Sequence, residues 1–400
     1  MDAFAFEWLS LLGRWLHLVA GIAWIGASFY FVWLDNHLLP PERKEAADAG
    51  VAGELWAVHG GGFYHSQKYR VAPAKLPGTL HWFYWEAYTT WLSGFFLLCL
   101  IYYARAEVYL IDSSVAALSK PAAIVVGLAF LVGSWLLYDA LCRSPLARSD
   151  RKLGSSVAVL LATEAWALCH LFSGRGAFIQ FGAALGTIMV ANVFFVIIPG
   201  QRELVRARQE GRDADSIHGL RGKQRSVHNT YLTLPVLFTM ISQHSPMTHG
   251  ARYNWLVLIA LSIAGAAIRM WFVARHKAHE RGGRTSPWPA ALGTLSLALV
   301  AISLAPARSA QMPAAADSFT RIESIFRQRC QPCHAAAPTQ PGFNSPPAGV
   351  LLDSADDIAA NLQRIRVQLL TRAMPIGNLT AMTEEERALV LNWIEHGAPR

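Results

Sequence analysis

Long apolar runs restrict the fold of this chain more than any other feature of its sequence. A helix needs about 20 apolar residues to cross a bilayer, and eight runs come near that length. They are residues 8–34, 84–103, 120–141, 155–172, 178–198, 230–243, 253–274 and 288–305. Only 16% of the residues are charged, against about 25% in soluble proteins. We therefore predict an all-α protein in which residues 1–305 form an eight-helix integral membrane bundle surrounded by lipid.

The Lys and Arg residues between the runs predict the orientation of the bundle. One set of loops carries 20 of them and the opposite set carries 4. The richer set consists of residues 35–83, 142–154, 199–229 and 275–287. Cytoplasmic loops are enriched in Lys and Arg, so we expect this set in the cytoplasm and both termini outside. The formal charge of +8 does not indicate nucleic acid as a partner, because the basic residues are spread between apolar runs.

The apolar pattern stops abruptly after residue 305. Residues 306–316 read as a linker, and a soluble domain is predicted over residues 317–400. The last helix of this domain begins with the capping-box pair Thr383 and Glu386, which an apolar face follows. We expect a small α-helical domain here.

Two of the five cysteines form a motif with a defined chemistry. Cys330-Gln-Pro-Cys333-His334 has the spacing of covalent haem c attachment. Both thiols add to the haem vinyl groups, and the histidine becomes the proximal ligand of the iron. A zinc site would need a second cysteine pair, which the sequence does not contain. The motif therefore predicts one covalent haem c in a small α-helical domain that is similar to class I cytochromes c.

Met374 is the predicted sixth ligand of the haem iron. It lies in Arg372-Ala-Met374-Pro-Ile, and a thioether opposite histidine is typical of electron-transfer cytochromes, whose potential it raises. Met382 is the alternative, but no proline follows it to fix the loop. Bacteria attach haem c on the outer face of the membrane, which agrees with the orientation predicted from Lys and Arg. We therefore expect the cytochrome domain on the periplasmic side of a bacterial inner membrane.

Ionisable residues within apolar runs are costly in lipid and are candidates for function. A rise of about 1.5 Å per residue sorts them by depth along each predicted helix. Those in the outer half are His17, Glu164, His170 and His244. Those toward the cytoplasmic side are Glu86, Asp139, Asn192, His228, Asn229, Thr230 and Arg269, while His59, His65 and His81 lie on the first cytoplasmic loop. A single histidine among them is readily explained as a core residue, but their convergence at one end of the bundle indicates a site.

Several stretches resemble the membrane-bound urate oxidases of bacteria, also called urate hydroxylases. They include Trp56-Ala-Val-His59-Gly-Gly-Gly-Phe-Tyr-His65, Leu80-His81-Trp-Phe-Tyr-Trp-Glu86, Ala191-Asn192-Val-Phe-Phe and His228-Asn229-Thr230-Tyr-Leu-Thr-Leu-Pro. In that family an eight-helix membrane domain is fused to a C-terminal cytochrome c, and the resemblance covers nearly the whole chain. A mild departure is Gln243-His244-Ser245, where Asn-His-Tyr is more usual.

The resemblance implies an oxidoreductase that converts urate to 5-hydroxyisourate in purine catabolism. Electrons would leave through the cytochrome instead of reducing dioxygen to peroxide, which makes water the natural source of the added oxygen. The implied partners are urate, membrane lipid and a downstream electron acceptor such as a soluble cytochrome c or a terminal oxidase.

The polar residues within the apolar runs and on the first cytoplasmic loop suit such a substrate. Urate is a planar anion, so its site needs a cation and planar hydrogen-bonding groups. Arg269 can supply the charge, and histidine can accept a proton near neutral pH. The predicted catalytic set is His59, His65, His81, His228, Asn229, Thr230 and Arg269. Which histidine acts as the base stays open.

A cytoplasmic-side substrate site would lie most of a bilayer, about 30 Å, away from an outer haem. His17 is followed by small residues, and it is a candidate ligand of a non-covalent haem b that would bridge this gap. His170 or His244 would be its partner. The alternative is that His17 only forms a hydrogen bond with Glu164.

Two other functions compete with urate oxidation. One is a cytochrome c electron-transfer subunit of a quinol-linked respiratory complex, with no small-molecule substrate of its own. The other is a membrane transporter with a redox sensor. A relay subunit does not need a cytoplasmic cluster of arginine and histidine, and a transporter does not need haem c.

Overall fold

The computed structural model of the protein describes residues 3–73, 75–280, 283–305 and 319–399. The predicted linker, residues 306–316, lies outside these described residues, as do the first two residues of the predicted C-terminal domain.

The N-terminal part of the chain is almost entirely helical. Its helices are α1 (Ala3–His37), α2 (Lys44–Asp48), α3 (Trp85–Leu97), α4 (Ala106–Tyr109), α5 (Lys120–Arg143), α6 (Asp150–Cys169), α7 (Gly174–Ala191), α8 (Ile198–Gln209), α9 (Ser216–Ile241), α10 (Pro246–His249), α11 (Asn254–Glu280) and α12 (Trp288–Ser303). Two π-helical segments continue this pattern: Leu98–Tyr103 extends α3, and Asn192–Ile197 joins α7 to α8. Short 3-10 turns follow at Pro145–Arg148 and Ser242–His244.

Each of the eight predicted apolar runs consists mainly of helix. Five helical segments among the described residues are long and apolar enough to cross a membrane, and they are Phe4–His37, Lys120–Arg143, Asp150–Cys169, Gly174–Gln209 and Asn254–His276. The other three runs lie in α3 with its π segment, in α9, whose first half is polar, and in the 16-residue α12. The protein is therefore helical with several membrane-compatible segments, while a bundle of eight crossings stays a prediction.

A β-hairpin interrupts the helical pattern in the first long loop. Strands β1 (Val51–His59) and β2 (Gly62–Tyr69) pair antiparallel, with Trp56 opposite His65. The two linking residues, Gly60 and Gly61, have φ of 57° and 81°, which a two-residue turn of type I′ requires at both positions. The sequence did not predict this hairpin, which adds two strands to a protein that is otherwise helical, as predicted.

Helix α7 lies at the centre of the N-terminal part. It packs against α5, α6, α9 and α3, and side chains such as Phe178, Phe181, Leu185 and Ile188 are fully buried on it. Most side chains of α1, by contrast, are at least partly exposed. Helix α7 is therefore the common packing partner of α3, α5, α6 and α9.

The C-terminal part is a separate small helical core. Its helices are α13 (Phe319–Arg329), α14 (Gln331–His334), α15 (Ala355–Ala360), α16 (Leu362–Leu370) and α17 (Glu384–Glu395), with 3-10 turns at Pro347–Gly349 and Ile376–Asn378. Trp393 of α17 packs against Phe319 and Phe326 of α13, with ring centroids 6.0 and 6.3 Å apart. The capping box predicted at Thr383 and Glu386 is confirmed, since both of its hydrogen bonds form.

Two glycines allow close approach between the N-terminal and C-terminal parts. A Cβ atom on Gly377 would lie 3.2 Å from the carbonyl oxygen of Val108, and one on Gly250 would lie 2.7 Å from that of Thr371. Gly377 also has a φ of 54°, in the left-handed region that glycine adopts most readily. The loop that contains Met374 therefore faces the predicted outer loops of the N-terminal part.

Candidate functional site

A chain of hydrogen bonds links buried polar side chains at the predicted cytoplasmic end of α5, α7 and α9. Nδ1 of His228 lies 2.7 Å from Oη of Tyr138. The amide of Asn192 donates to Tyr138 Oη at 3.1 Å and to Asn229 Oδ1 at 2.8 Å. Tyr138 and Asn192 are fully buried. We call Tyr138, Asp139, Asn192, Arg225, His228 and Asn229 the buried network.

The π-helical segment positions Asn192 within this network. Pro199 follows the segment and has no N–H, so the carbonyl of Phe195 lacks its normal α-helical donor. π-Helical turns of this kind are frequent at functional sites. Here the segment begins at Asn192, whose side chain bridges Tyr138 on α5 and Asn229 on α9.

Arg225 is the cation of the buried network. Only 4% of its surface is exposed, and its Nη2 lies 2.7 Å from Oδ1 of Asp139. Asp139 also accepts a hydrogen bond from Arg143 Nε at 2.6 Å, so one carboxylate serves two guanidinium groups. The Arg225 guanidinium lies over the ring of Tyr138, 5.0 Å from its centroid. The group therefore carries an excess positive charge beside an aromatic face.

A cavity of about 460 Å³ opens next to Arg225, and we call it the α9 cavity. Its lining includes Cys142, Phe195, His218 and Arg221. Sγ of Cys142 lies 3.9 Å from Nδ1 of His228, so this histidine stands directly behind the cavity wall. Small-molecule sites commonly have volumes of about 300–1,000 Å³. The cavity thus has the size and charge to hold a small planar anion.

The predicted catalytic residues are only partly brought together. His228 and Asn229 belong to the buried network, and Thr230 is buried beside them, but its hydroxyl donates to Ser226 O of its own helix at 3.0 Å. Arg269 lies elsewhere, with its guanidinium 3.8 Å from the ring centroid of Phe29. No contact among the described residues joins it to the network.

The three loop histidines lie apart from the buried network as well. His59 and His65 are on the β-hairpin, where His65 stacks on Trp56 at 4.3 Å and its Nε2 lies 3.1 Å from Glu54 Oε2. His81 is exposed just before α3. The contacts described for these residues are local, so their catalytic role stays a prediction.

Sequence reading missed two members of the network, Tyr138 and Arg225. In the sequence, Arg225 counts only as a positive charge of a predicted cytoplasmic loop. Its spacing could have placed it with the other members of the network. Residues three and four positions apart share a helix face, and His228 and Asn229 follow Arg225 at these intervals.

His17, the candidate ligand of haem b, packs between α1 and α3. Its Nδ1 lies 2.9 Å from the Thr90 carbonyl oxygen, and a Cβ atom on Gly94 would lie 2.8 Å from its ring. The alternative partner, Glu164, instead accepts from Ser134 at 2.6 Å. Metal-ligating histidines commonly bond a backbone carbonyl in this way. The described contacts bring no second histidine to His17, so haem b stays a prediction.

The residues of the Cys330-Gln-Pro-Cys333-His334 motif fit a covalent haem c. Both cysteines are free thiols, and burial raises the pKa of Cys330 to about 12. Nδ1 of His334 lies 3.0 Å from the carbonyl oxygen of Val350. This bond makes Nδ1 the donor and leaves Nε2 available to a metal. The predicted proximal ligand is therefore held in the required tautomer.

Two arginines donate to the backbone of the Met374 loop, one from beside the motif and one from α17. Arg329, which precedes Cys330, donates to the Thr380 carbonyl at 2.6 Å, while Arg387 donates to the Met374 carbonyl at 2.8 Å. Met374 is half-buried, whereas Met382 is 4% exposed and belongs to the hydrophobic core. Met374 therefore stays the predicted axial ligand, with Met382 as the alternative.

We expect Met374→Ala to keep covalent haem but to lower its reduction potential, because loss of the thioether removes the ligand that raises it. Redox titration of the haem absorption would measure the change. Met382→Ala is the matched variant, and it should destabilise the C-terminal core by about 2–5 kcal/mol while leaving the potential near that of the wild type. The opposite pattern would identify Met382 as the ligand.

The family model described as urate oxidase N-terminal matches residues 3–305. The chain belongs to this family. The matched range contains every residue of the buried network, whereas the Cys330 motif lies beyond it. No curated protein and no solved structure matches the chain. Membership in the urate oxidase N-terminal family supports a urate oxidase-related oxidoreductase.

Proposed function

We propose that this protein is a membrane-bound urate oxidase that converts urate to 5-hydroxyisourate and passes the electrons to haem c without making peroxide. The observation that carries the proposal is the buried network beside the α9 cavity, within the part of the chain that belongs to the urate oxidase N-terminal family. The finer organisation we propose is a membrane domain over residues 1–305, a linker over 306–316 and a cytochrome c domain over 317–400.

Arg221 and Arg225 would bind the anionic substrate. They lie four residues apart on α9 and line one wall of the cavity, so both guanidinium groups can face the same ligand. Asp139 is already shared by Arg143 and Arg225, which leaves net positive charge for urate. Phe195 offers an apolar face on which a planar ring can lie.

His228 and Tyr138 would take the proton released during oxidation. Asn192 donates its amide N–H to Tyr138 Oη, so the tyrosine hydroxyl is left to donate to His228 Nδ1, which lies 2.7 Å away. His228 would therefore carry its own proton on Nε2. Such a pair can hold and relay a proton at defined atoms.

The overall reaction balances with water as the oxygen donor. Urate and water give 5-hydroxyisourate, two protons and two electrons. Cys330, Cys333, His334 and Met374 would hold haem c, which would supply one-electron acceptance, so the two electrons would leave one after the other through the downstream acceptor. The C-terminal part would lie on the periplasmic side of a bacterial inner membrane and would reduce a soluble cytochrome c or a terminal oxidase.

Adding urate to membranes that contain the oxidised protein tests this proposal. We expect the haem absorption to change to that of the reduced form under anaerobic conditions, and we expect no peroxide when air is present. If quinol reduces the haem and urate does not, the quinol-linked electron-transfer subunit replaces the urate oxidase. Peroxide formed in proportion to urate would contradict electron export through the cytochrome.

A further inference from the structure

A second cavity lies between the N-terminal and C-terminal parts of the chain. It measures about 740 Å³, and we call it the interdomain cavity. One wall is formed by residues such as Tyr109, Arg175 and His249, and the other by the Met374 loop and Arg387. Cys330, Cys333 and His334 are not part of its lining. The cavity is therefore distinct from the haem attachment motif, although it touches the predicted axial ligand.

Positive charge dominates this cavity. Four arginines line it, Arg175 and Arg252 from the N-terminal part and Arg372 and Arg387 from the C-terminal part, against two carboxylates. Both carboxylates already have partners. Asp112 accepts from Ser114, and Glu384 accepts from Arg372 at 2.6 Å. The arginines of the N-terminal wall have no carboxylate partner among the described residues.

Two buried polar atoms on opposite walls lack a hydrogen-bond partner within the described part of the chain. They are Nε of Arg387 and Nε2 of His249, and these residues are only 8% and 9% exposed. The nearest acid to Arg387 Nε is Glu384, at 3.8 Å, which is beyond hydrogen-bond distance. Buried polar groups are normally satisfied, so both walls of the cavity keep unused hydrogen-bonding capacity.

The protonation state of His249 is compatible with a bound anion. Burial, with the charge of Arg175 second, lowers the pKa of His249 to about 4. The ring is therefore neutral at pH 7 and does not add to the positive charge. The local charge comes from guanidinium groups, which match planar oxyanions through paired N–H donors.

Flat apolar surfaces complete the cavity wall. Tyr109, Tyr253 and Trp255 line it, and the Arg175 guanidinium lies 5.1 Å from the Tyr109 ring centroid. Gln243 accepts from Arg175 Nε at 2.7 Å, which orients the guanidinium. The volume is within the range of organic ligand sites and far exceeds what an inorganic ion fills.

We propose that the interdomain cavity binds a small planar organic anion, held between arginines of both parts of the chain. The ligand would lie against the Met374 loop and would tie the cytochrome part to the membrane part. The anion class follows from the cavity itself, whereas the choice of urate as one such anion rests on the proposed function.

The test uses the full-length protein with its haem fully reduced, so that urate binds without being consumed. Calorimetric titration with urate should find two sites in the wild type. Arg175→Gln and Arg252→Gln should each weaken one site about tenfold or more, the effect of losing a charged hydrogen bond. Arg225→Gln should weaken the other site. Arg175→Lys, which keeps the charge, should partly restore binding, and Arg206→Gln on the exposed face of α8 should change neither site.

Benzoate and inorganic phosphate separate this inference from the proposed function. Benzoate should bind the wild type and bind Arg252→Gln about tenfold more weakly, even if urate does not bind at all, in which case the urate proposal alone fails. The inference is overturned if neither urate nor benzoate binding depends on Arg175 or Arg252, or if phosphate binds as tightly as benzoate.

Discussion

Replacing both Cys330 and Cys333 by alanine should remove urate turnover from this protein. The double variant has no thiol to form a thioether at this motif, so a denaturing gel stained for haem should show no band. Each single variant should hold haem through one bond at most and should give a weaker band and a lower rate. Urate oxidation should fall to background in the double variant, because electrons would leave the protein through haem c.

Cys99→Ala is the matched control for this prediction. Cys99 is a half-buried free thiol of the π-helical segment that extends α3, remote in sequence from the motif, and its replacement should leave haem staining and turnover unchanged. A stained band in the double variant would disprove the attachment site. Normal staining with lost turnover in Cys99→Ala would instead implicate the packing of this π-helical segment.

His228→Gln should lower the rate of urate-dependent haem reduction by about 10²–10⁴-fold, which is the usual contribution of a general base. The effect should fall on kcat more than on KM, because Arg221 and Arg225 would still bind the anion. Tyr138→Phe should give a loss of similar size, since it keeps the ring beneath Arg225 but removes the hydroxyl through which the proton would reach His228 Nδ1. Stopped-flow absorption of the haem would measure both variants.

His396→Gln provides the matched control, because His396 is exposed at the end of α17 and bonds only the Asn392 carbonyl among the described contacts. It should behave as the wild type. A normal rate in His228→Gln would show that His228 is not the base. His59 and His65 on the hairpin would then be the next candidates.

The long apolar runs predicted the main helices well but did not predict the β-hairpin between them. Each long run became helix because a continuous apolar segment has few other ways to satisfy its backbone. The hairpin was missed because only its glycine pair, Gly60 and Gly61, marks the turn, and the aromatic residues around it were read as a loop. Strand pairing depends on contacts between distant residues, which a search for apolar runs does not examine.

The candidate site shows the same limit. The predicted depths of His228, Asn229 and Asn192 along their helices are similar, and the structure joins these residues in one network. The prediction succeeded because the rise per residue of an α-helix is fixed. Depth does not give the direction in which a side chain points, so Arg269 was grouped with them although it contacts Phe29 on another helix. Arg225 was overlooked because its charge suggested solvent, and its burial depends on Asp139 of α5.

The π-helical segment Asn192–Ile197 makes the exact length of the chain important at this point. Its hydrogen bonds span one residue more than those of an α-helix, so one turn of the segment takes up about one residue more. Removing one residue here would let this turn close as a regular α-helix and would leave α7 and α8 facing much as they do now. The side chains within the segment would be redistributed, and Phe195 would no longer hold its place beside the α9 cavity. Relatives that differ in length by a single residue within this turn would therefore share the scaffold but present a different cavity wall to their substrate.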